Sequence, residues 1–188
     1  VEIEVLKTSG DVLIFEGSGG AFPFGRAGAV EQHGPRRITA QVRDRDVEVQ
    51  VEIGYVKAEG RYVVQSVRGT NLTSEVLHSI RPPEIVREAV LGVLFGGDRV
   101  RTDPVVGVIL ADIWARLRGE PVSLDDVAEN KKLPFVAVVY KFAYMVGQRP
   151  TATVAQGFDL PRSTAGRLIR QARDQGLLGP TTERKAGV

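Results

Sequence analysis

The sequence predicts an α+β fold, with an N-terminal small antiparallel β-sheet or barrel with covering helices, and a C-terminal all-α unit of three helices. Three observations predict it. Apolar and polar residues alternate over much of the first seventy positions, apolar stripes at helical spacing occupy the next fifty, and the last third carries two short helices joined by a tight turn. The expected division is 1–119 for the α+β domain, 120–133 for a linker or short helix, and 134–188 for the C-terminal unit.

The first strands are Val1 to Leu6 and Val12 to Phe15, with Ser9-Gly10-Asp11 as a turn. A glycine-rich segment follows, with Gly17, Gly19, Gly20, Gly25, Gly28 and Gly34. It lacks the Gly-Lys-Ser or Gly-Lys-Thr ending of a phosphate-cradling loop, no helix clearly follows it, and its spacing does not fit a dinucleotide fingerprint. It reads as a connection whose Phe22 and Phe24 tuck onto the core or a partner. Arg26, Arg36 and Arg37 would alternatively make it a second DNA-contacting arm, an idea that unchanged DNA affinity after mutating all three would dispose of.

Ile38, Ala40 and Val42 form the next half-buried strand, and Arg43 to Asp46 close a hairpin to Val47, Val49, Val51 and Ile53. The last four alternate with Glu48, Gln50 and Glu52, which predicts an acidic outer face that repels DNA. Ala58-Glu59-Gly60 turns the chain into a strand from Arg61 to Val67. Five such strands need a covering layer. Pro82-Pro83 open a helix with Ile85, Val86, Ala89, Val90, Val93 and Leu94 on one face, and Gly96-Gly97 close it. A second helix runs from Asp103 or Pro104 to Leu117 and carries Val106, Ile109, Leu110, Ile113, Trp114 and Leu117. Its wide stripe predicts burial on two sides, against the sheet and against the C-terminal unit or a second copy of the chain, with Trp114 as core or interface anchor. Ser123 and Asp126 form a weak capping box that starts a short polar helix to Lys132.

From Pro134 to Gly147, Val136, Val139, Tyr140, Ala143 and Val146 share one helical face, and Gly147 with Pro150 stops the helix. Thr151 or Thr153 can cap the next, very short helix, whose buried face is Val154, Ala155 and Phe158. Asp159 sits where the chain must turn sharply, Leu160 returns to the core, and Pro161 has the φ favoured at the first position of a helix. In that last helix Ala165, Leu168, Ile169 and Ala172 make an apolar stripe, and Gly176 ends it with Leu177 and Leu178 returning to the core. Its other face carries Arg162, Ser163, Thr164, Arg167, Arg170, Gln171 and Arg173.

These residues resemble the helix-turn-helix family of DNA-binding domains, over Leu133 to Val188. The family's small mid-helix residue falls on Ala155, its turn-flanking apolar residues on Phe158 and Leu160, and two further core positions on Ala165 and Leu168. Asp159 stands where the family most often has Gly. The run from Ser163 to Gly179 is similar to modules of actinobacterial and actinophage regulators. The tail from Gly179 to Gly187 reads either as the wing of a winged helix or as a frayed terminus.

Charge points the same way. Lys131 to Val188 carry ten Lys or Arg against three Asp or Glu, a balance of +7 beside −5 for the rest of the chain. Arg162, Ser163, Thr164 and Arg167 are the expected base contacts, because Arg pairs with guanine in the major groove and such helices read bases with their N-terminal half. Arg170, Gln171 and Arg173, with Lys141, Arg149, Thr151, Arg184 and Lys185, are the expected phosphate contacts.

The composition excludes other classes. There is no Cys, and His33 and His78 lie far apart, so neither a disulfide framework nor a metal site is expected. No apolar run reaches the length of a membrane span and no signal peptide is evident, so the expected location is the cytoplasm, on the nucleoid, without a membrane partner. Glu48 with Glu52, and Asp125 with Asp126, have no neighbouring base or nucleophile, so no enzyme and no cofactor are expected. The expected function is sequence-specific binding of double-stranded DNA by a transcriptional regulator of bacterial or phage origin, acting as a homodimer. Its N-terminal domain would supply dimerisation, a protein partner's surface or an effector site. The alternatives are a protein-interaction adaptor that docks through the same helices and a plasmid or phage maintenance protein.

Overall fold

The computed structural model describes residues 2–17, 30–44, 47–70, 72–75, 81–95 and 129–179. Four strands, β1 (Glu2–Gly17), β2 (Val30–Asp44), β3 (Val47–Val56) and β4 (Arg61–Gly69), form one antiparallel sheet in the order β1-β2-β3-β4. The sheet is open rather than a barrel, with β1 and β4 at its edges.

Alternation sets the register. Ile38, Ala40 and Val42 stand opposite Ile53, Val51 and Val49, and all six are buried on one face. On β4 a register shift leaves Gln65 unpaired, which lets Val64 and Val67 both pack against this core. Tyr62 completes it. Its ring meets Tyr55 edge-on at 5.1 Å, and its buried hydroxyl donates to the Pro35 carbonyl at 2.7 Å. Helix α1 (Pro82–Phe95) covers the apolar face with Ile85, Val86, Ala89, Val90, Leu91 and Leu94, and touches β1, β2 and β4.

Three expectations for this region are corrected. The two strands at Val1 to Leu6 and Val12 to Phe15 are one continuous β1. Gly10 does adopt a left-handed φ of 68°, yet the chain does not reverse there, since Ser9 and Asp11 pair with Arg37 and Pro35 on β2. A Cβ at position 10 would stand 2.9 Å from the Cβ of Arg36, so this glycine also makes room for a cross-strand neighbour. The glycine-rich connection is also shorter than expected, because β2 already begins at Val30; Phe22, Phe24 and Arg26 lie outside the described residues. Finally, the outer face of the sheet is charge-paired rather than acidic. Arg43 bridges Glu48 at 2.8 Å and Glu4 at 3.2 Å, while Glu52 accepts from Ser66 at 2.8 Å and lies 3.7 Å from Arg68. Such exposed pairs add little stability, but they remove the basis for DNA repulsion.

The C-terminal residues form a three-helix bundle of α2 (Glu129–Met145), α3 (Pro150–Gly157) and α4 (Arg162–Asp174). All three pack on one another, and α2 also reaches β4. Helix α2 starts five residues before Pro134, which sits in its second turn and, lacking an N–H, forgoes one backbone bond to Asn130. The five residues from Phe135 to Val139 are all buried, as are Phe142, Ala143, Met145 and Val146. Consecutive burial over more than a turn means that α2 is covered over more than the single face expected, although Tyr140 and Lys141 stay half-buried and Tyr144 exposed. The expected helix to Leu117 and the tail beyond Gly179 lie outside the described residues. No described helix is long and apolar enough to cross a membrane.

Candidate nucleic-acid interface

The three helices of the bundle end in the same way. After each, a residue with left-handed φ is followed by one whose N–H turns back to the helix: Gly147 (φ 74°) then Gln148 to the Ala143 carbonyl at 2.9 Å, Asp159 (φ 50°) then Leu160 to Ala155 at 2.8 Å, and Gly176 (φ 72°) then Leu177 to Ala172 at 2.9 Å. This is the Schellman stop, which satisfies carbonyls that a helix end would otherwise leave open. Asp159 is the only non-glycine with positive φ among the described residues. It sharply reverses the chain between α3 and α4.

Left-handed backbone crowds a Cβ against the following carbonyl, and a branched side chain suffers most. Asp159→Val is therefore expected to destabilise the chain by about 1–2 kcal/mol, and Asp159→Gly to leave it unchanged or slightly more stable. Urea melts of the two variants check this. Equal stability would mean that the turn does not use this conformation.

The caps differ from expectation. Arg149, not Thr151 or Thr153, holds the cap position of α3, with no side-chain cap bond, and Thr153 Oγ1 instead donates back to the Arg149 carbonyl at 3.2 Å. Pro150 explains the shift, since its fixed φ suits the first turn and starts the helix earlier. Pro161 likewise serves as the cap of α4 rather than its first residue, because its ψ of 140° is extended.

With the turn so fixed, Phe158 is driven inward, where its ring meets Phe135 of α2 edge-on at 5.8 Å. Val154, Ala165, Ile169, Ala172 and Leu178 are buried beside it, and Ala155, Leu160, Leu168 and Leu177 pack partly buried against the same core. The small residues at 155, 165 and 172 let α4 lie close to its neighbours.

Burying that stripe leaves the opposite side of α4 outward. Arg162, Ser163, Arg167, Arg170 and Gln171 are exposed there, with Thr164 half-buried at their margin. None of Arg162, Arg167 and Arg170 has an ion pair or hydrogen bond among the described residues. The contrast with the N-terminal half is sharp. Arg43, Arg61, Arg68, Arg81 and Arg87 each lie against a glutamate, at 2.6 to 3.7 Å. Arg36 and Arg37 on β2 are exposed as well.

The remaining candidates are less uniform. Arg149 is exposed at the start of α3, and Thr151 is half-buried in its first turn. Lys141 is half-buried on α2, where desolvation pushes its pKa below the usual lysine value. Arg173 turns inward, and its Nη2 donates to the Tyr140 hydroxyl of α2 at 2.9 Å. This pairing was not anticipated, although Arg173 follows Ile169 by one turn and so lies on the flank of the apolar stripe. Arg184 and Lys185 lie outside the described residues.

Comparison with protein-family models, with curated proteins and with solved structures finds no match for the chain. Any functional reading of this interface therefore stands on its residues and geometry.

Proposed function

We propose that the chain is a sequence-specific DNA-binding protein, a transcriptional regulator of bacterial or phage origin, that lays α4 in the major groove as a helix-turn-helix reader. The observation that carries this reading is the row of unpaired arginines on α4, in a protein whose sheet and α1 arginines are mostly matched to glutamates. Three such cations on one short helix repel each other, and a polyanion relieves that repulsion. Arg162, Ser163, Thr164 and Arg167 lie toward the N-terminal end of α4 and would meet base edges. Arg170 and Gln171, with Arg149 and Thr151 at the start of α3, would meet phosphates. Because one short helix reads few base pairs, we place the protein on DNA as a homodimer over two half-sites.

Selection of bound duplexes from a random pool, using the full chain near physiological salt, tests the reading. An enriched, two-fold symmetric sequence is the expected result. Absence of enrichment from folded protein would overturn it and favour docking on an acidic protein.

Gly166 offers a second test. It lies inside α4, one turn from Ser163 and from Arg170, and a Cβ there would meet nothing within 4 Å among the described residues. A helix-interior glycine costs about 0.5–1 kcal/mol relative to alanine, and no neighbour among the described residues requires it. We read it as clearance for a DNA strand. Gly166→Ala should then raise the melting temperature while lowering DNA affinity. A variant that gains stability and keeps full affinity would show that DNA does not approach this point.

A further inference from the structure

We infer that Arg173 is a positioning residue, which fixes the rotation of α4 about its own axis and thereby aims the base-reading face. The inference rests on the DNA-binding reading above. Among the described residues Arg173 turns to Tyr140: its Nη2 donates to the Tyr140 hydroxyl at 2.9 Å, and its guanidinium carbon lies 5.2 Å from the centre of that ring. Its Nε is buried and has no hydrogen-bond partner among the described residues. An N–H desolvated without an acceptor is unfavourable, so a purely apolar side chain of similar length would fill this place at least as stably. What an arginine adds is direction, because its planar fork accepts only a narrow range of orientations relative to a hydroxyl and a ring.

The rest of the α4 contact lacks that direction. Two of its three fully buried residues, Ala165 and Ala172, are alanines, which permit close approach but resist rotation weakly. Arg173 lies in the last turn of α4, on the flank next to Ile169, and Tyr140 lies half-buried within the long α2. The pair thus ties the rotation of α4 to the most deeply buried helix of the bundle. A small rotation about the α4 axis would carry Arg162, Ser163 and Arg167 away from base edges while leaving them near the phosphates.

The distinguishing signature is loss of selectivity without loss of electrostatics. Dissociation constants for the full chain are measured on its selected duplex and on a random duplex, over a range of salt, for wild type, Arg173→Lys and Tyr140→Phe. Lysine keeps the charge but not the fork, and phenylalanine keeps the ring but not the acceptor. Arg173→Lys is expected to weaken the selected duplex by about tenfold. It should change the random duplex by less than about twofold, with the salt slope unaltered. Tyr140→Phe should move in the same direction, and the double variant should be no worse than Arg173→Lys alone.

Losses by Arg173→Lys that are equal on the two duplexes would make Arg173 a phosphate contact and overturn the inference. Selectivity unchanged in both variants would overturn it too, while leaving the DNA-binding reading intact. A wild-type chain with no selected duplex would instead overturn that reading, and this inference with it.

Discussion

Phe158→Ala should lower the unfolding free energy of the chain by about 3–5 kcal/mol, the largest stability effect expected of any single change in the bundle. The side chain is 1% exposed and meets Phe135 edge-on, so truncation removes both burial and an aromatic pair worth about 0.5–1.5 kcal/mol. Collapse around the gap is restricted. Phe158 immediately precedes the left-handed Asp159, and the N–H groups of Asp159 and Leu160 are bonded to the Gln156 and Ala155 carbonyls. The backbone that would have to move is the backbone that sets the angle between α3 and α4. Urea unfolding followed by circular dichroism measures the loss, and Phe158→Leu should recover much of it. A loss below about 1 kcal/mol would place Phe158 outside the core.

Arg167→Ala is expected to have the largest effect on DNA binding, weakening the selected duplex by about 1–3 kcal/mol and relaxing preference at one base position. Its side chain is exposed and has no partner among the described residues, so stability should change by less than about 0.5 kcal/mol. Arg170→Ala serves as the comparison. As a phosphate contact it should weaken selected and random duplexes alike and make the salt dependence shallower by about one ion. Equal losses on both duplexes for Arg167→Ala would make it a phosphate contact too.

Much of this fold is legible in the residues, for identifiable reasons. The alternation from Val47 to Ile53 gives β3 and its register with β2, and the apolar stripes of α1 and α4 are written at helical spacing with stops after each helix. The Asp159 turn is legible because few non-glycine residues tolerate left-handed backbone. What is not legible depends on contacts distant in sequence. Gly10 carries a turn signal, and only its pairing partner on β2 shows that the strand continues. The extent of the burial of α2 is hidden because the unbroken apolar run from Phe135 to Val139 has no polar position to set its phase. Of the interface, the outward row on α4 follows from its amphipathic pattern. The inward turn of Arg173 does not, because arginine's length lets the same position serve solvent or a neighbouring helix.

The unbroken burial of α2 from Phe135 to Val139 matters to anyone wishing to move the α3–α4 pair onto another protein. A fragment cut at Pro134 would begin inside a helix whose next five side chains are all buried, and would sever the approach of α2 to β4. Such a graft would carry an oily flank into water and invite aggregation. A workable transplant would take all of α2, and would need polar replacements at those positions of α2 that lose their cover along with the sheet.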